Sequence, residues 1–80
     1  MRIIKIVRKE STKDYVSLEI TFEKKMWFKT KTFTKDCLYN QSYQKLKYSD
    51  TNEIVYIGNS WIIESVIQFV ESEKEEITFK

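Results

Sequence analysis

Residues 15–35, YVSLEITFEKKMWFKTKTFTK, decide the fold of this chain. Val16, Leu18, Ile20 and Phe22 alternate with Tyr15, Ser17, Glu19, Thr21 and Glu23. Period-two alternation of β-branched and aromatic residues with polar ones marks a half-buried strand. The second arm alternates as well. Trp27, Lys29, Lys31, Phe33 and Lys35 share one face, and Met26, Phe28, Thr30, Thr32 and Thr34 share the other. The first face is basic and aromatic; the second is mostly threonine, a good strand former. The two arms read as a hairpin with a basic tip.

Register determines which face of the second arm is buried, because a slip of one residue turns every side chain over. Pairing Phe22 with Trp27 would set Ile20 against Lys29 and Leu18 against Lys31. That aims ammonium groups at the core, and an unpaired buried charge is costly. Pairing Phe22 with Phe28 sets Ile20 against Thr30 and Leu18 against Thr32. It also places Glu19 outside, opposite Lys31, as a favourable cross-strand pair. The second register is the expected one. The tip has neither Gly nor Asn, so a loop of about four or five residues around Glu23-Lys24-Lys25-Met26 is expected rather than a two-residue turn. In this arrangement Trp27 and Phe33 lie outside, interleaved with Lys29, Lys31 and Lys35.

The flanking chain completes one small α+β domain over residues 1–80. Residues 2–9, RIIKIVRK, read as a strand with Ile4 and Ile6 on one face and Ile3, Lys5 and Val7 on the other. Glu10 to Asp14 form a polar turn. Residues 36–52 show no clear period. Leu38, Tyr39, Tyr43 and Leu46 recur at spacings that allow a short helix or an ordered loop. Tyr39, Tyr43 and Tyr48 are amphipathic; they suit either a contact surface or a cover over the sheet edge. Residues 53–57, EIVYI, read as a short strand ended by Gly58-Asn59. Ser60 is a good helix N-cap, and Glu64 falls where the helix dipole favours an acid. The spacing predicts a helix over 60–73 with Ile62, Ile63, Val66, Ile67, Phe69 and Val70 in one apolar arc and Trp61 on the polar side. The terminal ITFK suits a short edge strand. The expected order is β-β-β-loop-β-α-β: an antiparallel sheet of four to five strands with one C-terminal helix on one face. The other face is left to water or a partner.

Composition narrows the function classes. Hydrophobic residues make up 41% of the 80, enough for a modest core and against wholesale disorder. Cys37 is alone, so an internal disulfide is excluded and a reducing, cytoplasmic setting is expected. No signal peptide is expected from the charged MRIIKIVRK start, and WIIESVIQFV is too short to span a membrane. Histidine, proline and alanine are absent, and Lys outnumbers Arg twelve to two. That bias suits an AT-rich genome, as in many bacteria and phages. Charge is divided: +7 over residues 1–47 and −5 over residues 48–80, which restores the net +2. Such asymmetry fits either a polar molecule or two halves that neutralise one another.

Catalysis finds little support. The commonest general base near neutral pH is missing. Asp36 beside Cys37 raises rather than lowers a thiol pKa. Asp14, Asp36 and Asp50 are isolated in turns, where Asp serves the backbone. The acids at 71, 73, 75 and 76 read as a solvated helix end, not a metal site, and one glycine cannot build a phosphate loop. A non-enzymatic protein with no cofactor and no metal is expected. The basic aromatic segment is the positive signal, and the expected contact residues are Lys24, Lys25, Trp27, Lys29, Lys31, Phe33 and Lys35. Aromatic residues anchor protein interfaces, so the leading expectation is a protein-binding module that docks on a larger protein or nucleoprotein complex. Small phage or plasmid inhibitors, anti-CRISPR proteins among them, share this general character of size and composition. The alternative is direct single-stranded nucleic-acid binding on a basic track with aromatic platforms.

Overall fold

A computed structural model describes residues 2–57 and 61–79. The chain forms a single α+β domain with the element order β1 (Arg2–Ser11), β2 (Tyr15–Lys25), β3 (Thr30–Asn40), β4 (Lys45–Tyr48), β5 (Ile54–Ile57), α1 (Trp61–Glu71) and β6 (Glu76–Thr78). The strands make one antiparallel sheet in the order β5-β4-β3-β2-β1-β6. The helix connects strands at opposite edges, so it must cross the sheet, and it covers one face. Ile62, Ile63, Val66 and Phe69 are buried from the helix side. Val16, Leu18, Ile20 and Phe22 are buried from β2. Ile67 and Val70 of the same helical arc are partly buried, and Trp61 is exposed, as the helical spacing predicts. The expected turn at Gly58-Asn59 and cap at Ser60 lie outside the described residues.

Three features differ from the sequence reading. In β1, an extra residue at Ile4 shifts the ladder from Ile3↔Phe22 to Lys5↔Thr21. A bulge of this kind resets parity, so Ile6 shares its buried face with Ile3 and not, as strict alternation predicts, with Ile4. The same ladder sets Arg8 opposite Leu18 on the helix side, and a second shift follows at Lys9. The segment 36–52 is not a helix or loop. β3 runs on to Asn40, turns, and returns as β4, so the sheet has six strands, one more than expected. Gln44 closes that turn with a φ of 50°; a residue in the left-handed region is what a tight return requires, although the sequence offers no glycine there.

The third difference is the hairpin register. Phe22 opposes Phe33, not Phe28; Ile20 opposes Lys35, Leu18 opposes Cys37 and Val16 opposes Tyr39. The second arm is therefore turned over: Lys31, Phe33 and Lys35 lie on the helix side of the sheet, and Thr30, Thr32 and Thr34 lie on the outer side. Glu19 faces Asp36, not Lys31. Once β3 extends to Asn40, this register buries Cys37 and Tyr39 beside Leu18 and Val16. It also stacks Phe33 on Phe22 with ring centroids 5.4 Å apart. On the outer side the hydroxyls of Thr21 and Thr34 meet at 2.9 Å, and Lys9 reaches Asp36 at 3.2 Å to offset the like-charge pair with Glu19.

A lysine-bearing finger as the candidate interaction surface

The site follows from unequal strand lengths. β2 and β3 each have 11 residues. β1 reaches only to Arg2, opposite Glu23, and β4 reaches only to Tyr48, opposite Cys37. Past Glu23 and Thr32 the sheet is two strands wide. Lys24↔Lys31 and Lys25↔Thr30 are the last pairs, and the Met26 N–H donates to the Lys29 carbonyl at 2.8 Å. The tip is thus Met26-Trp27-Phe28-Lys29, three residues beyond the expected loop.

Trp27 is 98% exposed and Phe28 81% exposed. Phe28, expected in the core, projects at the tip with the Lys29 ammonium 5.8 Å from its ring centre. Lys24, Lys25, Lys29 and Lys31 surround these rings and take part in none of the four ion pairs among the described residues. Two features of this tip disfavour the isolated molecule: large apolar side chains in water and Lys24 directly opposite Lys31.

The concave side of the finger is an open groove of about 450 Å³ lined by Lys24, Met26, Lys31, Phe33, Lys35 and Tyr48. Its floor is aromatic. Tyr48 meets the edge of Phe22 at 6.1 Å, and Phe22 stacks on Phe33. Lys35 is held at one end, with its ammonium 3.1 Å from Asp50 and 5.6 Å from the centre of the Tyr48 ring. The Asp50 hydrogen bond and charge raise the Lys35 pKa, and the same hydrogen bond lowers that of Asp50. Burial raises the Tyr48 hydroxyl above its ordinary value.

The structure therefore brings Lys24, Lys31, Phe33 and Lys35 into one wall and places Trp27 and Lys29 at the tip. Lys25 belongs to the opposite face of the finger. Phe33 is not an outward partner of Trp27; it joins the groove to the core. Sequence reasoning missed Phe28 and Met26, and it offered Tyr48 for a contact surface or an edge cover without placing it on a strand. The alternation of Lys45-Leu46-Lys47-Tyr48, with Leu46 buried, was the available sign that Tyr48 is a strand residue on the helix side.

No family model, curated protein or solved structure matches this chain. The finger is thus read on its own chemistry. Cys37 is buried, and burial first, then Asp36 and Asp50, push its thiol up to about 12; a thiol held protonated is a poor nucleophile. Among the described residues no group of three or more Cys, Asp or Glu could hold a metal ion. No described helix is long and apolar enough to cross a membrane.

Proposed function

We propose that this protein is a non-enzymatic docking module whose β2–β3 finger inserts into a larger protein or nucleoprotein partner. The observation that carries the reading is the near-complete exposure of Trp27, with Phe28 beside it, on a projection that the fold does not use to build its core. Such aromatic residues serve as interface anchors, and the four surrounding lysines would steer the finger toward an acidic surface and set the association rate more than the affinity. An inhibitor or accessory role of the phage or mobile-element kind fits a small module of this design.

The test places a photo-crosslinking residue at position 27, and at exposed Glu64 as a control, within source cells. A discrete protein adduct is expected at 27 and not at 64, and excess unlabelled protein should compete it away while the Trp27→Ala variant should not. Equal labelling at both positions would remove the docking reading. A second reading has its own support: the aromatic floor of Phe33 and Tyr48, flanked by Lys24, Lys31 and Lys35, suits a stacked base and its phosphates.

A further inference from the structure

The side of β3 that faces away from β2 is an open strand edge from Thr30 to Thr34. In an antiparallel ladder, alternate residues direct their N–H and C=O groups to alternate neighbours. The Met26–Lys29 bond sets Lys31, Phe33 and Lys35 as the residues bonded to β2, and the Ser49 N–H donating to the Asp36 carbonyl at 2.9 Å sets the even-numbered residues as facing β4. β4 turns away at Ser49, so among the described residues no strand lies beside the outward backbone groups of Thr30, Thr32 and Thr34. The groove with Phe33 and Tyr48 lies against this edge.

We infer that an acidic extended segment of the partner adds to this edge as a strand, continuing the course of β4, with one carboxylate against Lys31, a second sharing the Lys35 ammonium with Asp50, and an apolar side chain between them over Phe33. The inference rests on the docking reading and specifies its partner. The added residues opposite Thr30, Thr32 and Thr34 exchange backbone hydrogen bonds with them. Those opposite Lys31, Phe33 and Lys35 form the close, non-bonded pairs in which side chains touch. The recognised pattern is therefore acidic, any, apolar, any, acidic. Main-chain bonds would supply affinity and the alternating pockets specificity, as in other strand additions. A second copy of this chain is disfavoured as the occupant, because pairing two such edges would bring together two fingers, each with Lys24, Lys25, Lys29, Lys31 and Lys35.

The probe is a capped hexapeptide, glutamate–threonine–valine–threonine–glutamate–threonine, which runs from opposite Lys35 to opposite Thr30 and is titrated into the ¹⁵N-labelled whole chain to the millimolar range. Amide exchange at Thr30, Thr32 and Thr34 should slow by about tenfold at saturation, while the amides of Lys31 and Phe33, already bonded to β2, should change little. A peptide with lysine for glutamate, and one N-methylated at its two inner threonines, should both fail. Lys31→Glu should abolish the effect, and a peptide carrying lysine at the facing position should restore it. Unchanged exchange at the three threonines, equal protection by the lysine or N-methylated peptide, or concentration-dependent protection of the protein alone would each overturn strand addition. Such failure with the position-27 crosslink intact would leave the docking reading standing; loss of the crosslink with protection intact would remove finger insertion instead.

Discussion

Arg8 supplies the positive charge that the last turn of α1 lacks. Its guanidinium donates to the carbonyls of Phe69 at 3.3 Å, Val70 at 3.2 Å and Lys74 at 3.0 Å, and lies 5.2 Å from the centre of the Phe69 ring. These carbonyls are at or just past the end of the helix, where the regular ladder stops; Phe69 also accepts from Ser72, and a cation there meets the negative end of the dipole. The first bulge of β1 sets the parity that turns Arg8, like Ile6, to the helix side. Arg8→Ala should cost about 1.5–3 kcal/mol, the range for hydrogen bonds from a charged donor; a shift in chemical denaturation midpoint at constant slope is the readout. Cys37 affects stability through pH. Its thiol is raised from 9.0 to about 12 by burial, so between these values the unfolded chain releases a proton that the folded chain retains. Stability then falls as pH rises through that window, by on the order of 2–3 kcal/mol at pH 11. Tyr39 and Tyr48, raised by burial as well, add loss of the same sign from about pH 10 upward. Denaturation of the Cys37→Ala variant at pH 8 and pH 11 should show a smaller difference between the two than the parent chain does. An identical pH dependence would place the alkaline loss elsewhere.

At the scale of the elements, the finger shows how a strand can be functionally costly and structurally sound. Lys24 and Lys31 face each other across the ladder, and Lys24→Glu should exchange that repulsion for attraction. The isolated domain should gain about 0.2–1 kcal/mol, while association with an acidic partner should slow. Unfolding curves and association rates of the same variant check both halves; faster association would refute the assigned role. The long alternation of β2 and the apolar arc of α1 were legible because each has one unmistakable period and one buried face. The register of β3 was not. Lysines on the inward face are costly only where that face is buried, and solvent reaches Lys31 on the finger and Lys35 at the end of the groove; Lys31 is exposed and Lys35 half-buried. A strand read only as far as Lys35 also leaves out Cys37 and Tyr39, whose burial favours the observed pairing. The bulge at Ile4 was hidden for a similar reason, since RIIKIV supports either parity. Of the expected contact residues, Lys24, Lys25, Trp27, Lys29 and Lys31 are exposed on the finger, but Lys31 and Lys35 lie on the helix side instead of outside, and Phe33 gives its outward place to Phe28 because the register moved.

At the scale of the whole molecule, Lys24, Lys25, Lys29 and Lys31 put a block of like charge on the finger. Glu71, Glu73 and Glu75 follow the helix terminus beside Arg8, toward the other end of β1, where Lys9 and Lys13 also lie. Among the described residues two ion pairs, Lys5–Glu76 and Lys35–Asp50, join the basic part of the sequence to the acidic part, and neither involves any of these four lysines of the finger. A field of this kind orients the finger toward negative charge, which both a carboxylate-rich protein and a phosphate backbone present. Salt dependence separates them. If the finger bound single-stranded nucleic acid directly, its four lysines outside ion pairs would each neutralise a phosphate, and log K against log salt would fall with a slope near −2.8. Asp50→Asn would free Lys35 and steepen the slope to about −3.5, and Trp27→Ala would remove about 1–3 kcal/mol of stacking. The docking reading expects none of these: oligonucleotide binding should be weak at physiological salt and insensitive to Trp27→Ala, because an interface anchor needs a shaped pocket and a flexible strand does not offer one. Fluorescence titration of an oligonucleotide at two salt concentrations, with the parent chain and both variants, measures all three quantities. Submicromolar binding with a steep slope that responds to Asp50→Asn, and weakens with Trp27→Ala, would transfer the function of the finger from protein docking to nucleic acid.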